Sequence, residues 1–158
     1  MGAQGGMVRE LSIRYLPTAM TADTSKLNRP DLIAAYLAKP MAALNRPDQE
    51  AFWVIPMDRK NNAKGVHLLT LGTLTAALAH PREILRVCIA AAAAAFVCAH
   101  NHPSGDPAPS SADLQVTRQI REAAKAVDIE FLDHLIVGRK DSDPLGVGYY
   151  SFRSAGIL

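Results

Sequence analysis

The sequence predicts an α/β protein, a mixed β-sheet sandwiched by helices, and three observations lead there. Short apolar or alternating stretches are interleaved with helical patterns along the chain, the arrangement expected of helices laid on a sheet. Two helical stretches are substantial, ILRVCIAAAAA (84–94) and ADLQVTRQIREAAKAV (112–127). The composition, 49% hydrophobic and 20% charged over 158 residues, is that of one soluble globular domain able to bury a core.

Each element has its own justification. Residues 1–7 read as a disordered tail and 8–158 as a single domain. From Val8 to Tyr15, Leu11, Ile13 and Tyr15 alternate with Ser12 and Arg14, a strand pattern. After the polar TADTSKLNRP comes DLIAAYLAKPM, a short helix with Asn28 or Asp31 as its cap and Pro40 as its end. AFWVIPMD reads as a strand whose Pro56 points to a bulge or an edge position. NNAKG turns the chain, and VHLLTLG returns as a hairpin partner.

His80-Pro81-Arg82-Glu83 offers a helix start with proline at its first position. The alanine-rich run behind it extends that helix, its small side chains allowing close approach to a sheet. Phe96 to His100 is strand-like. The helix at 112–127 sets Leu114, Ile120, Ala124 and Val127 on one apolar face. IEFLDHLIVG is a further strand, DSDPLGVG a loop, and YYSF a final strand; no internal repeat occurs.

Bulk properties exclude several classes. The formal net charge of +2, with no basic run, neither demands nor forbids nucleic acid. Cys88 and Cys98, far from CxxC spacing and set among apolar residues, read as buried small hydrophobes of a reducing compartment. The N-terminus has no apolar signal region, and the longest apolar run (87–99) is too short and alanine-rich to span a bilayer. The expected location is cytoplasmic, without membrane contact.

The chemistry concentrates in AHNHPSGDPAPSSAD (99–113). On a strand, residues i and i+2 share a face, so His100 and His102 aim both imidazoles one way. Pro, Gly and Ser then reverse the chain, and a helix opens near Ser110 or Ser111 with Asp113 in its first turn. Two imidazoles and a carboxylate are a catalytic zinc donor set, with water as fourth partner. Ser110-x-x-Asp113 is equally a capping box, which alone would explain both residues as a helix start.

His100-x-His102, seven residues, then Ser110-x-x-Asp113 resembles the JAMM motif of the JAMM/MPN metallo-hydrolases. The wording HNHPSGDPAPS resembles the RadC-type branch of that superfamily. HPRE (80–83), FLDHLIVG (131–138) and YYSFRSAGIL agree, so the likeness runs from about Gln49 to the C-terminus. The resemblance implies the cytidine-deaminase-like α-β-α fold. It also implies Zn²⁺ held by His100, His102 and Asp113, with Glu50 in DQEAFWVIPMD as general base toward the metal's water. Ser110 would donate to the oxyanion, and the bond cut in active relatives is a peptide or isopeptide bond. Without the downstream motif, Glu50 would read as a solvent-facing strand start. RadC-type proteins usually carry a further N-terminal helical module. The expectation is that this chain lacks it, which puts any DNA contact assigned to that module in doubt.

Three functions follow. One is a zinc-dependent peptidase or isopeptidase with an unidentified protein or peptide substrate. Another is a DNA-associated repair or mobile-element accessory protein, supported only by mild basicity. The last is a metal-binding interaction module without catalysis. Other residues read as structural. His80 and Glu83 belong to helix starting, packing and ion pairing, and Asp106 to a turn or to a histidine's outer partner. Asp133 and His134 are adjacent on a strand and face opposite ways. Trp53 belongs to the core, His67 has no assigned role, and GVG (146–148) is too short for a nucleotide loop.

Overall fold

A computed structural model describes residues 26–72 and 79–158. The tail at 1–7, the strand at 8–15 and residues 73–78 lie outside the described residues. The elements are α1 (Pro30–Leu44), β1 (Glu50–Met57), β2 (His67–Gly72), α2 (Pro81–Ala90), β3 (Ala95–Asn101), α3 (Ser111–Ala126), β4 (Glu130–Val137) and β5 (Tyr149–Ser151). Five strands form one sheet in the order β2-β1-β3-β4-β5. Only β3 and β4 run parallel, with α3 as their crossover, so the sheet is mixed.

Strand alternation sorts the core into two layers. Ala51, Trp53, Ile55 and Met57 of β1 face α1, where they meet Ile33 and Leu37. Phe52 and Val54 face the other way, packing with Phe96 and Cys98 of β3 against Ile84 and Cys88 of α2 and Ile120 of α3. The predicted α-β-α class is what the chain adopts.

The structure departs from local expectation at three places. Pro40 does not end α1; the helix runs another turn to Leu44 because Met41 and Leu44 pack on the α1-side core, and Asn45 closes it in the left-handed region. Neither Asn28 nor Asp31 caps it. Arg29 stands at the N-cap without a side-chain cap bond and pairs with Asp31. The alanine run leaves the helix at Ala90, although its residues are strong helix formers. Ala92 turns at φ 47, and β3 must begin by Ala95 to meet Met57 across the sheet.

The buried face of α3 is Asp113, Val116, Thr117, Ile120 and Ala124; Leu114 is only half-buried and Val127 is exposed. Pro56 is neither at an edge nor at a bulge: β1 lies inside the sheet, its irregularity falls at Phe52/Trp53, and past Val54 its β2 side is met by the 63–64 segment, where the Pro56 carbonyl accepts Lys64 N–H at 2.8 Å. No helix among the described residues is long and apolar enough to cross a membrane.

Candidate metal centre

The site forms at the C-terminal ends of the parallel pair β3 and β4, on the side covered by α2 and α3. His100, near the end of β3, is 1% exposed and stacks flat on Phe52, its cross-strand partner in β1. His102 follows on the same side, and its Nε2 lies 3.2 Å from that of His100. The HPSGDP loop turns back at Gly105, whose φ of +89 suits glycine. The Asp106 carbonyl accepts His102 Nδ1–H at 2.8 Å, which leaves the His102 Nε2 lone pair facing the site. Asp106 also makes a turn, its Oδ1 accepting Ala108 N–H at 2.9 Å. The two sequence readings of Asp106 thus both describe it, through different atoms.

Ser110 and Asp113 show the same double use. Ser110 is the N-cap of α3 and closes a full capping box with Asp113. Asp113 Oδ2 accepts the Ser110 N–H at 2.8 Å and the Ser110 hydroxyl at 2.7 Å. That leaves Oδ1 for the cluster, 3.1 Å from His100 Nε2, while Oδ2 is 3.5 Å from His102 Nε2. The cap aims the carboxylate.

Glu50 opens β1 beside this group, its Oε1 3.9 Å from His100 Nε2. Glu50, His100 and His102 each offer one donor atom within 4.8 Å of the others. Two oxygens of Asp113 approach the same histidine nitrogens more closely still. Tetrahedral zinc with bonds of about 2.0–2.1 Å sets its ligands about 3.3 Å apart. The His100–His102 and His100–Asp113 separations of 3.2 and 3.1 Å fit that edge, and the Glu50 distance does not. The donor set therefore suits a metal ion, with Glu50 one step outside it.

Charge favours a cation here. Burial works to raise the Asp113 carboxyl, but the rings of His100 and His102 and the Ser110 hydroxyl on its oxygens outweigh it and hold the group well below the carboxylate range. Asp113 in turn raises His102, against the opposing pull of its partial burial. A cleft of about 320 Å³ opens over the site, lined by Glu50, Ala79, His102, Pro103, Ser110 and Asp113. A larger hollow at the opposite end of β3 and β4, about 520 Å³, is lined by scattered charges such as Asp58, Arg121 and Glu130. Among the described residues it has no converging donor cluster.

Two residues matter here that sequence reasoning missed. Asn101, between the histidines, accepts Ala51 N–H at 2.8 Å and donates to the Gln49 carbonyl at 3.0 Å. It thus grips the backbone on both sides of Glu50 and sets the glutamate's position. His134 of β4 is fully buried, with Nε2 2.9 Å from His100 Nδ1 and Nδ1 2.7 Å from Thr117 Oγ1. Burial and the neighbouring His100 keep it neutral by pushing it well below the usual histidine range. Asp133 faces the other side, as expected, accepting from Ser151 Oγ and Arg153 N–H. Cross-strand register alone brings these groups in, and nothing local in the sequence signals it. His80 is a helix cap, accepting Arg82 N–H, and Glu83 pairs with Arg82 and Arg86.

Residues 27–157 match the model of the RadC-like JAB domain. The chain is 41% identical over 148 residues to the UPF0758 protein STH371 of Symbiobacterium thermophilum, covering 90% of this chain and 59% of that protein. It is 42% identical over 120 residues to a UPF0758 protein of Moorella thermoacetica, covering 76% and 51%. With the UPF0758 protein tlr1707 of Thermosynechococcus vestitus it shares 44% over 119 residues, covering 75% and 46%. The chain thus spans roughly half the length of these relatives.

Proposed function

Since the chain belongs to the RadC-like JAB domain family, we propose that it is a zinc-dependent hydrolase that cuts peptide or isopeptide bonds. One observation carries the reading. The His100 and His102 Nε2 atoms stand 3.2 Å apart and Asp113 Oδ1 3.1 Å from the former, both near a tetrahedral edge, with Asp113 Oδ2 3.5 Å from His102 and the Glu50 carboxylate just beyond. His100, His102 and Asp113 would hold the ion, two neutral nitrogens and one carboxylate being a donor set that catalytic zinc takes. When bound, zinc supplies Lewis-acid polarisation of a water and a substrate carbonyl.

The chain's own residues do the rest. Glu50, braced by Asn101, takes the proton of the attacking water and returns it to the leaving nitrogen. Ser110 lines the cleft, but its hydroxyl donates to Asp113 Oδ2. To serve a developing oxyanion the hydroxyl must turn away, while the Ser110 N–H stays on that oxygen and preserves the carboxylate's aim. The substrate class is a protein or peptide. The location consistent with the free, buried Cys88 and Cys98 is the cytoplasm.

Metal analysis of purified protein, with His100→Ala and His102→Ala beside it, tests the first half: stoichiometric zinc in wild type alone is expected. Zinc absent from wild type overturns it. A peptide and isopeptide panel run with wild type and Glu50→Gln tests the second half. Cleavage that survives Glu50→Gln removes the glutamate from its role. DNA retention with a steep salt dependence and no cleavage favours a DNA-associated function instead.

A further inference from the structure

We propose that His134 is the positioning residue that selects which nitrogen His100 presents to the metal. The inference rests on the metal reading above and deepens it. Its basis is a chain of hydrogen bonds. Thr117 Oγ1 lies 2.6 Å from the Asp113 backbone carbonyl and 2.7 Å from His134 Nδ1. A carbonyl only accepts, so the single hydroxyl proton is committed to it, and Thr117 shows His134 a lone pair. His134 Nδ1 therefore carries the hydrogen of its neutral ring, and its Nε2 is an acceptor. That Nε2 faces His100 Nδ1 at 2.9 Å, so His100 Nδ1 bears a hydrogen and its Nε2 lone pair points at His102 and Asp113.

The chain begins at the main-chain carbonyl of Asp113 and ends at His100, whose bare Nε2 lies 3.1 Å from that residue's own carboxylate, a gap between two acceptors that a cation would fill. Metal-bound histidines ordinarily donate their second N–H to a carboxylate, a carbonyl or water. Here a second histidine takes that place, and it is held rigidly. Phe152 stacks on the His134 ring at 4.9 Å and Phe52 leans on it at 5.6 Å. The ring is shut off from solvent. The opposite direction of the chain, with His134 protonated on Nε2, would put a hydrogen on His100 Nε2 and block coordination.

Long-range ¹H–¹⁵N spectra of the metal-free, histidine-labelled protein at neutral pH read the tautomers directly. The expected result is Nδ1–H for both His134 and His100; Nε2–H on His134 overturns the proposal. Zinc affinity, measured by competition with a chromophoric chelator, is the second readout. His134→Gln keeps an acceptor near the Nε2 position and should stay within about threefold of wild type. His134→Asn reproduces only the Nδ1 side and should bind zinc 10–100-fold more weakly. Thr117→Val, nearly isosteric, removes the lone pair that fixes the ring and should give mixed His134 tautomers. A merely packing role predicts equal losses for Gln and Asn, and that outcome overturns the relay. Wild type that binds zinc, with all three variants unchanged, overturns it alone; wild type that binds none overturns the metal reading with it.

Discussion

The HPSGDP loop that carries His102 is pinned by a close approach of two glycines, and Gly138→Ala tests what that approach does. A Cβ at position 138 would lie 2.2 Å from the Gly105 carbonyl oxygen and 2.9 Å from Pro107 Cδ. Ordinary contact begins near 3.4 Å, so the loop must lift by roughly 1 Å. It is not free to do so. Arg139 N–H donates to the same Gly105 carbonyl at 2.7 Å, and His102 N–H donates to the Val137 carbonyl at 3.0 Å. Overpacking of this kind costs about 1–3 kcal/mol, and losing the Arg139 bond adds about 1 kcal/mol. We therefore expect Gly138→Ala to destabilise the metal-free protein by about 2–4 kcal/mol in urea titrations followed through Trp53, the single tryptophan.

The same lift displaces His102, and metal–ligand distances tolerate only about 0.2 Å. Zinc affinity should accordingly drop more than tenfold. Gly156→Ala is the control: φ there is +74 with open space around the site, so strain of about 1–2 kcal/mol is expected with zinc affinity unchanged. If Gly138→Ala stays within about 0.5 kcal/mol of wild type and binds zinc equally well, the pinning argument is wrong.

Asn101→Ala strips two bonds from the backbone around Glu50 and leaves the Ala51 N–H without its acceptor; a loss of about 1–3 kcal/mol and faster exchange of the Ala51 amide are expected. An unchanged Ala51 exchange rate would show the clamp to be idle. Added zinc should raise the unfolding free energy of wild type by about 2.7 kcal/mol at a hundred times its dissociation constant. His100→Ala should show no such rise. The pH dependence of the metal-free protein carries two opposed signs. His134 is depressed in the fold, so the unfolded chain takes a proton that the folded site refuses, and its contribution is present above pH ~6.5 and lost as pH falls below it. His102 is raised, so its contribution is full below pH ~6.5 and lost as pH rises through its folded value. His102→Ala should therefore abolish the fall in stability above pH ~6.5 and leave the acid limb, whose slope for one proton is at most about 1.4 kcal/mol per pH unit, in place; a fall above pH ~6.5 that survives the substitution would reverse the assignment.

What could be read beforehand was what local spacing encodes. His100 and His102 share a face because strands repeat every two residues, and Ser110 and Asp113 meet because a helix start brings positions three apart together. Cap and ligand looked like rival readings of Asp113 until its two oxygens were seen to divide the work. Illegible features arise where distant segments decide. His134 reaches His100 across the β3–β4 pairing, and Asn101 finds Gln49 and Ala51 half a domain away in sequence. Position 92 bends because β3 must start on time to pair with Met57, whatever alanine prefers. Hydrophobicity alone assigns Leu114 and Val127 to the inner face of α3, yet Asp113 and Thr117 occupy it, held there by Ser110, the Asp113 carbonyl and His134.

The capping box on α3 fixes part of the proposed metal site in advance. Asp113 is already oriented by Ser110, His102 by Asp106 and His100 by the sheet, before any ion arrives. The two packed layers owe nothing to the ion. A chelator should therefore empty the site and leave the architecture standing, unlike small zinc domains that unravel without their ion. On the proposed zinc-hydrolase reading, such a protein would be synthesised, folded and stored as an inert vessel, and the supply of metal in its surroundings, rather than the making of new chain, would set when it works.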